Sequence, residues 1–347
     1  MNDDVELDCS ELVGNFKGIL ELIEGASTIA IAGHTSPDGD ALGSVLGLGR
    51  ALQARYPQKT VDMLLADNAP VPRIYRFLEG SELLVPAAEY ATNPDLFISV
   101  DVPVLDRLAD AAQVVERSAH VVAFDHHPSR SEFAQVSVRK VSAAACAVII
   151  HHFLRWAGID ESPAIASALM CGLVTDTGRF QYQNADPESF RVASSLVALG
   201  ADPARIALEV YQSQRLEYLH LESIVMGRIR TIANGRVAYS YAYATDLMSC
   251  GVTADECDGL VDVVRAVMGV EVCLFLKETE SGTRVRGNLR SKGKLDVSDI
   301  AARFNGGGHA AAAGFTYEGT IIETLRDALP LLAQLVGEDP ADVRVEL

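Results

Sequence analysis

Three short apolar runs, each closing on an acid or a histidine, constrain the fold of this chain more than any other feature. Residues 28–32 lead into Gly33-His34-Thr35-Ser36-Pro37-Asp38-Gly39-Asp40, residues 95–100 end at Asp101, and residues 120–124 run into Asp125-His126-His127-Pro128. Apolar runs without alternation read as strands buried on both faces, and the helical patterns between them, at 41–52 and 105–112, supply the covering layers. With a further strand pattern at 61–65, such a segment is α/β, a mainly parallel sheet flanked by helices. Parallel strands carry their C-terminal ends to one edge, where open α/β sheets present their polar groups. The three clusters can therefore converge.

Two readings of residues 33–40 stand side by side. In one, a polar loop joins strand to helix and Asp40 caps the helix. In the other, His34, Asp38 and Asp40 are metal ligands. Asp176, in Thr175-Asp176-Thr177-Gly178 after an apolar helix at 164–174, adds a carboxylate whose burial is costly unless it is paired or bound to metal. Asp38, Asp40, Asp101 and Asp176 bring four negative charges, which two divalent cations would balance. Oxygen donors with a few imidazoles and no thiolate suit Mn²⁺, Mg²⁺ or Co²⁺. Two such ions can share a carboxylate, and Asp101, alone at a strand end, is the natural bridge. His151 and His152, adjacent in a helical pattern at 143–158, point about 100° apart and read as structural.

Beyond 204 the pattern is nearly all helical to 232, which suits a connector. A second unit follows, with strand patterns at 236–243, 270–277 and 283–289 and a helical stretch at 255–268. Then come the basic turn Arg290-Ser291-Lys292-Gly293-Lys294, the loop Asn305-Gly306-Gly307-Gly308-His309, and an amphipathic helix at 321–336. The predicted division is 1–203, 204–232 and 233–347.

Charge bears on partners. The chain carries a formal net charge of −18, whereas proteins that hold long nucleic acid present broad basic faces. Residues 284–303 are the exception, with six cations (Arg284, Arg286, Arg290, Lys292, Lys294 and Arg303) against Asp296 and Asp299. A phosphate ligand is then small and held locally, and long duplex nucleic acid is excluded. No uncharged apolar stretch reaches the roughly 20 residues of a membrane span. The six scattered cysteines, without a Cys-x-x-Cys pair, read as reduced thiols. With no basic leader at the acidic start, the expected setting is cytoplasmic.

His34-x₃-Asp38-x-Asp40, Asp101, Asp125-His126-His127 and Thr175-Asp176-Thr177-Gly178 resemble, in order, the four motifs of the DHH phosphoesterase superfamily. Arg290-Ser291-Lys292 and Gly306-Gly307-Gly308-His309 resemble its accessory DHHA1 domain. Together they extend over essentially the whole chain. The two-domain size is similar to that of the bifunctional oligoribonuclease and pAp-phosphatase branch and of the related cyclic dinucleotide phosphodiesterases.

This resemblance implies a catalytic DHH domain followed by a smaller α/β DHHA1 domain that binds substrate. It implies one cation on His34, Asp38 and Asp101 and another on Asp40, Asp101, His126 and Asp176. Asp125 would orient a ligating imidazole, and His127 would lie beside the scissile phosphate. Arg290, Ser291, Gly306, Gly307, Gly308 and His309 would hold a phosphate or base, across a cleft from the metals. Asn305 stands where the family often has glycine. The implied activity is Mn²⁺-dependent hydrolysis of short oligoribonucleotides, pApA included, to 5′-mononucleotides, with pAp as a further substrate. Cyclic di-AMP hydrolysis uses the same catalytic residues and is the close alternative; a nucleotide-binding sensor on the same fold is the non-enzyme alternative. A pyrophosphatase is disfavoured by the Gly-Gly-Gly-His signature, and a long-strand exonuclease by length and charge. Homodimerisation is compatible with the resemblance but does not follow from the residues.

Overall fold

The computed structural model describes residues 12–128, 133–279, 283–293 and 295–345; Cys9 and Lys294 lie outside the described residues. The chain forms two compact units that divide between Ser213 and Gln214.

In the first unit, the strands β1 (Thr28–Ala32), β2 (Thr60–Leu65), β3 (Val85–Pro86), β4 (Leu96–Val100), β5 (His120–Asp125) and β6 (Val136–Arg139) form one parallel sheet in the order β3-β2-β1-β4-β5-β6. This is the fold class the apolar runs predict. The order reverses between β1 and β4, which pair Ile29 with Leu96 and Ala32 with Ser99. Such a switch point opens a crevice beyond the strand ends, and the three clusters of the sequence sit at the ends of β1, β4 and β5.

Helices α1 (Val13–Gly25), α2 (Gly39–Arg55), α3 (Ala111–Glu116), α4 (Cys146–Trp156), α5 (Pro163–Asp176), α6 (Pro187–Ala198) and α7 (Pro203–Tyr211) complete this unit. The predicted helix at 143–158 is shorter at both ends, because Ala145 is extended and opens α4 as its cap residue. Helices α2 and α5 lie unusually close. A Cβ on Gly43 would sit 2.3 Å from the Ala168 carbonyl oxygen, and one on Gly172 would sit 2.6 Å from Asp40 Oδ1. Glycine at both positions lets the last turn of α5 reach the first turn of α2.

The second unit contains α8 (Leu216–Gly227), β7 (Arg230–Ile232), β8 (Val237–Ala242), α9 (Ala244–Cys250), α10 (Val261–Arg265), β9 (Val272–Glu278), β10 (Arg284–Ser291), α11 (Ser298–Ala302), β11 (Gly307–His309), β12 (Ala312–Glu318) and α12 (Ile321–Leu335). Its sheet runs β11-β12-β10-β9-β8-β7, antiparallel except for the β8–β9 pair. Alternate strand residues face two cores: Tyr239 and Leu274 pack with α12, Ala238 and Phe275 with α8 and α10. The predicted connector is divided, with α7 in the first unit and α8 and β7 in the second. Among the described residues no helix is long and apolar enough to cross a membrane.

Candidate active site

Each donor at the sheet edge is set by a local device. Asp38 is the cap of α2, accepting the N–H groups of Asp40 and Ala41 at 3.0 Å. The cap is therefore Asp38, two residues before Asp40, the cap in the first of the two sequence readings. This turns Asp40 inward on the first turn of α2, where it is fully buried. Asp101 ends β4 with φ of 60°, a left-handed conformation that Asp tolerates better than most residues. Its N–H still donates to Phe124 O at 2.9 Å, so the turn begins directly at the end of the ladder. Asp176 closes α5, at the negative end of the helix, where a carboxylate is disfavoured and a cation favoured.

The side chains meet in two groups that share Asp101. His34 Nε2 lies 3.6 Å from Asp38 Oδ2 and 3.6 Å from Asp101 Oδ2. His126 Nε2 lies 3.3 Å from Asp101 Oδ1, 3.3 Å from Asp176 Oδ2 and 3.8 Å from Asp40 Oδ2. One oxygen of Asp101 thus faces each imidazole. In the groups His34–Asp38–Asp101 and Asp40–His126–Asp176, one donor atom per residue lies within 4.8 Å of the others.

The electrostatics favour a cation here. Burial, then repulsion from Asp40 and Asp38, pushes the Asp101 carboxyl well above the usual carboxylate range. Burial also raises Asp40 and Asp176, each opposed by His126. Burial alone would lower His34, but Asp38 and Asp101 outweigh it and raise the imidazole to about 9. His126 is raised too, Asp176 and Asp40 overcoming its burial. Asp101 Oδ1 is buried with no hydrogen-bond partner. Carboxylates crowded at this density, with an unbonded Asp101 oxygen 3.3 Å from His126 Nε2 and 3.6 Å from His127 Nδ1, fit a pair of divalent cations.

Asp125, expected to orient a ligating imidazole, is the partner of His127. Its Oδ1 accepts from His127 Nδ1 at 2.8 Å, whereas His126 Nδ1 meets the Ala143 carbonyl at 3.1 Å. The His126 contact leaves its Nε2 turned to the cluster, whereas His127 turns Nδ1 to Asp101 Oδ1 as well, at 3.6 Å. Burial lowers His127, and Asp125 partly restores it.

Sequence reasoning missed several supporting groups. Arg139 Nε stands 3.3 Å from Asp125 Oδ2, placed by the β5–β6 register that aligns the two residues. Arg107 Nη2 lies 3.2 Å from His34 Nδ1. The N–H groups of Cys146 and Ala147, at the start of α4, donate to Asp40 at 2.6 and 2.9 Å. The glycine spacing of α2, Gly39-x₃-Gly43-x₃-Gly47, is a sequence signal that another helix lies close. His151 and His152 are buried against Glu161 and Glu188, at 2.8 and 3.0 Å.

In the second unit, the residues predicted as a basic turn begin inside the sheet. Arg290 and Ser291 are the last residues of β10, opposite Cys273 and Val272 of β9. Arg290 Nη1 donates to the Leu289 carbonyl, while its buried Nε has no hydrogen-bond partner. Arg265, not singled out beforehand, joins Arg290 and Lys292 in a cationic group around Cys273. The Asn305–His309 loop resolves into a turn and the short strand β11. Asn305 has φ of 56°, which explains why glycine suits this position and why Asn, tolerant of that region, replaces it. Cβ atoms on Gly306 and Gly308 would collide with the β12 backbone, whereas Gly307 is exposed with open space beside it.

Residues 28–173 match the DHH family, N-terminal domain, and residues 234–338 match the DHHA1 domain. The chain is similar to the bifunctional oligoribonuclease and PAP phosphatase NrnA of Thermus thermophilus, at 30% identity over 319 residues, 90% of this chain and 92% of that protein. It is similar to the Bacillus subtilis protein of the same name at 26% identity over 299 residues, 85% of this chain and 91% of the other. Among solved structures, an exopolyphosphatase-related protein from Bacteroides fragilis shares the fold, with a TM-score of 0.84 and 24% identity over 94% of this chain and 98% of that one. With both domains in order and a relative 30% identical across nine-tenths of its length, this chain belongs to the DHH phosphoesterase family, carrying a DHH domain followed by a DHHA1 domain.

Proposed function

We propose that the protein is a two-cation phosphodiesterase that hydrolyses short oligoribonucleotides, pApA among them, to 5′-mononucleotides and also converts pAp to AMP. The observation that carries this reading is the pair of donor groups joined through Asp101, within a chain whose relatives are named for these two activities. His34, Asp38 and Asp101 would hold one cation, and Asp40, Asp101, His126 and Asp176 the other. The oxygen-rich donor set without thiolate favours Mn²⁺, with Mg²⁺ and Co²⁺ as alternatives. When bound, such a pair neutralises charge on the phosphoryl oxygens and makes water nucleophilic at neutral pH.

The chain's own residues do the rest. Asp125 holds the Nδ1 proton of His127, so it is the imidazolium form, with a second proton on Nε2, that would give that proton to the leaving oxygen or hydrogen-bond the phosphate. Burial alone would raise the Asp125 carboxyl, but its bonds to His127 outweigh this and hold it below the usual carboxylate range, with Arg139 Nε 3.3 Å from its second oxygen. Arg290 offers a charged fork to a phosphate, with Ser291, Gly306, Gly307, Gly308 and His309 completing recognition of the substrate's end. Substrate binding belongs to residues 233–347 in this reading, and catalysis to residues 1–203. The cysteines among the described residues are free thiols, which supports a reducing, cytoplasmic setting.

The test is turnover with Mn²⁺, Mg²⁺ and Co²⁺ on pApA, a ribo-pentamer, cyclic di-AMP, pAp and pyrophosphate. Release of AMP from pApA and mononucleotides from the pentamer, with phosphate from pAp, is the expected pattern. Cleavage of the cyclic dinucleotide without the linear ones would overturn the substrate assignment. Inactivity on every compound would return the protein to nucleotide binding without catalysis.

A further inference from the structure

The second donor group is assembled from two segments distant in sequence, and one side chain outside the family motifs joins them. Asn184 Nδ2 donates to the Ala144 carbonyl at 3.1 Å and to the Asp176 carbonyl at 3.0 Å. Both partners are acceptors only, so the orientation of the amide follows from them. The residues around Ala144 hold the other two donors of the group. Ala143 O meets His126 Nδ1, and the first N–H groups of α4 hold Asp40. A single amide, using both of its N–H bonds, therefore sets the 143–147 turn against the end of α5.

Asn184 is itself fixed. Its backbone carbonyl accepts from Asp186 N at 2.9 Å and from Ser189 Oγ at 3.3 Å, both at the start of α6. One turn further on, Glu188 grips the same region, accepting from Lys140 Nζ at 2.7 Å and facing His152 Nε2 at 3.0 Å. The clip acts where the chain is under tension. Asp176 ends its helix, and Gly178, Arg179 and Phe180 follow it in left-handed conformations, two of them without glycine's freedom.

We propose that Asn184 is a positioning residue for the Asp40–His126–Asp176 group, setting the separation of the Asp176 carboxylate from the His126 imidazole. The proposal rests on reading that group as a cation site. Partners that orient metal ligands without touching the metal typically contribute 10–100-fold to affinity, so Asn184→Ala is expected to weaken one of two cations by roughly that factor. The other cation, on His34, Asp38 and Asp101, keeps its affinity. Asn184→Asp retains the shape but turns a carboxylate toward two carbonyl oxygens, and is expected to be at least as damaging.

The experiment is calorimetric titration of metal-free wild type, Asn184→Ala, Asn184→Asp and Ser162→Ala with Mn²⁺, alongside thermal unfolding in EDTA. Ser162 caps the far end of α5, accepting from Ile165 N, so its variant reports general loosening of that helix. Selective weakening of one ion in both Asn184 variants, with two normal sites in Ser162→Ala, is the expected result. Unchanged affinities in Asn184→Ala, beside a wild type that binds two ions, would overturn this proposal alone. The same weakening in Ser162→Ala would overturn it too, by tracing the effect to helix stability. A wild type binding fewer than two ions would overturn it together with the cation reading.

Discussion

Asp40 and Cys146 are joined by a 2.6 Å hydrogen bond between a fully buried carboxylate and the first N–H of helix α4. The same carboxylate accepts from Ala147 and faces His126. A negative group at a helix N-terminus is favourable in its own right, so Asp40 stabilises the scaffold of the first unit as well as serving the donor group.

Asp40→Ala is therefore expected to destabilise the metal-free protein, leaving two buried N–H groups unpaired at about 1–3 kcal/mol each. Asp101→Asn removes a carboxylate that its neighbours repel and whose Oδ1 has no partner; it should leave metal-free stability unchanged or higher. Urea unfolding in EDTA measures both. Equal losses would show that Asp101 also has a structural role.

His127→Ala should separate chemistry from cation binding. A positioned acid or base is typically worth 10²–10⁴-fold, so kcat on pApA should fall by about that much with two Mn²⁺ ions still bound. Loss of an ion in the calorimeter would make His127 a ligand instead.

Gly43→Ala tests how Asp176 reaches the site. The added methyl would lie 2.3 Å from the Ala168 carbonyl oxygen, which must push α5 away from α2. Overpacking of this kind costs about 1–3 kcal/mol, and one cation should bind more weakly because Asp176 moves with α5. Wild-type cation affinity in a destabilised variant would separate helix packing from the site.

Cation affinity should rise with pH. Asp38 and Asp101 raise His34 to about 9, so below that pH an entering cation must displace a proton. In the absence of cations, the stabilisation from this raised value is fully present below the ordinary histidine value and is lost as pH rises through about 9. Calorimetry at pH 6.5, 7.5 and 8.5 should show increasing Mn²⁺ affinity and net proton release. Affinity independent of pH would show that no proton is held there.

Arg290→Ala should act on binding. Hydrogen bonds to charged groups contribute roughly 1.5–3 kcal/mol, so KM for pApA is expected to rise by about 10–100-fold with kcat little changed. Pyrophosphate and pAp, tested beside it, would show whether the lost contact is to a phosphate or to the base. Unaltered KM on every substrate would remove Arg290 from the recognition set.

The local chemistry of the DHH domain was legible in the sequence because a parallel sheet turns one-dimensional pattern into position. Apolar runs ending in His34, Asp101 and Asp125-His126-His127 must bring those ends to one edge, whatever the details of packing. Asn305 could likewise be recognised as standing in for glycine. Only the tertiary structure decided how the donors are shared. That Asp101 turns one oxygen to His34 and the other to His126 depends on a left-handed residue at the end of β4. That Asp125 serves His127 depends on side-chain direction within one turn. The arrival of Asp176 depends on close α2–α5 packing through Gly43 and Gly172, and its clip to Asn184 on the chain reversal after α5. Strand periodicity is a local property of the chain, whereas the approach of α2 to α5 and the hold of Cys146 on Asp40 arise from contacts between residues more than a hundred positions apart.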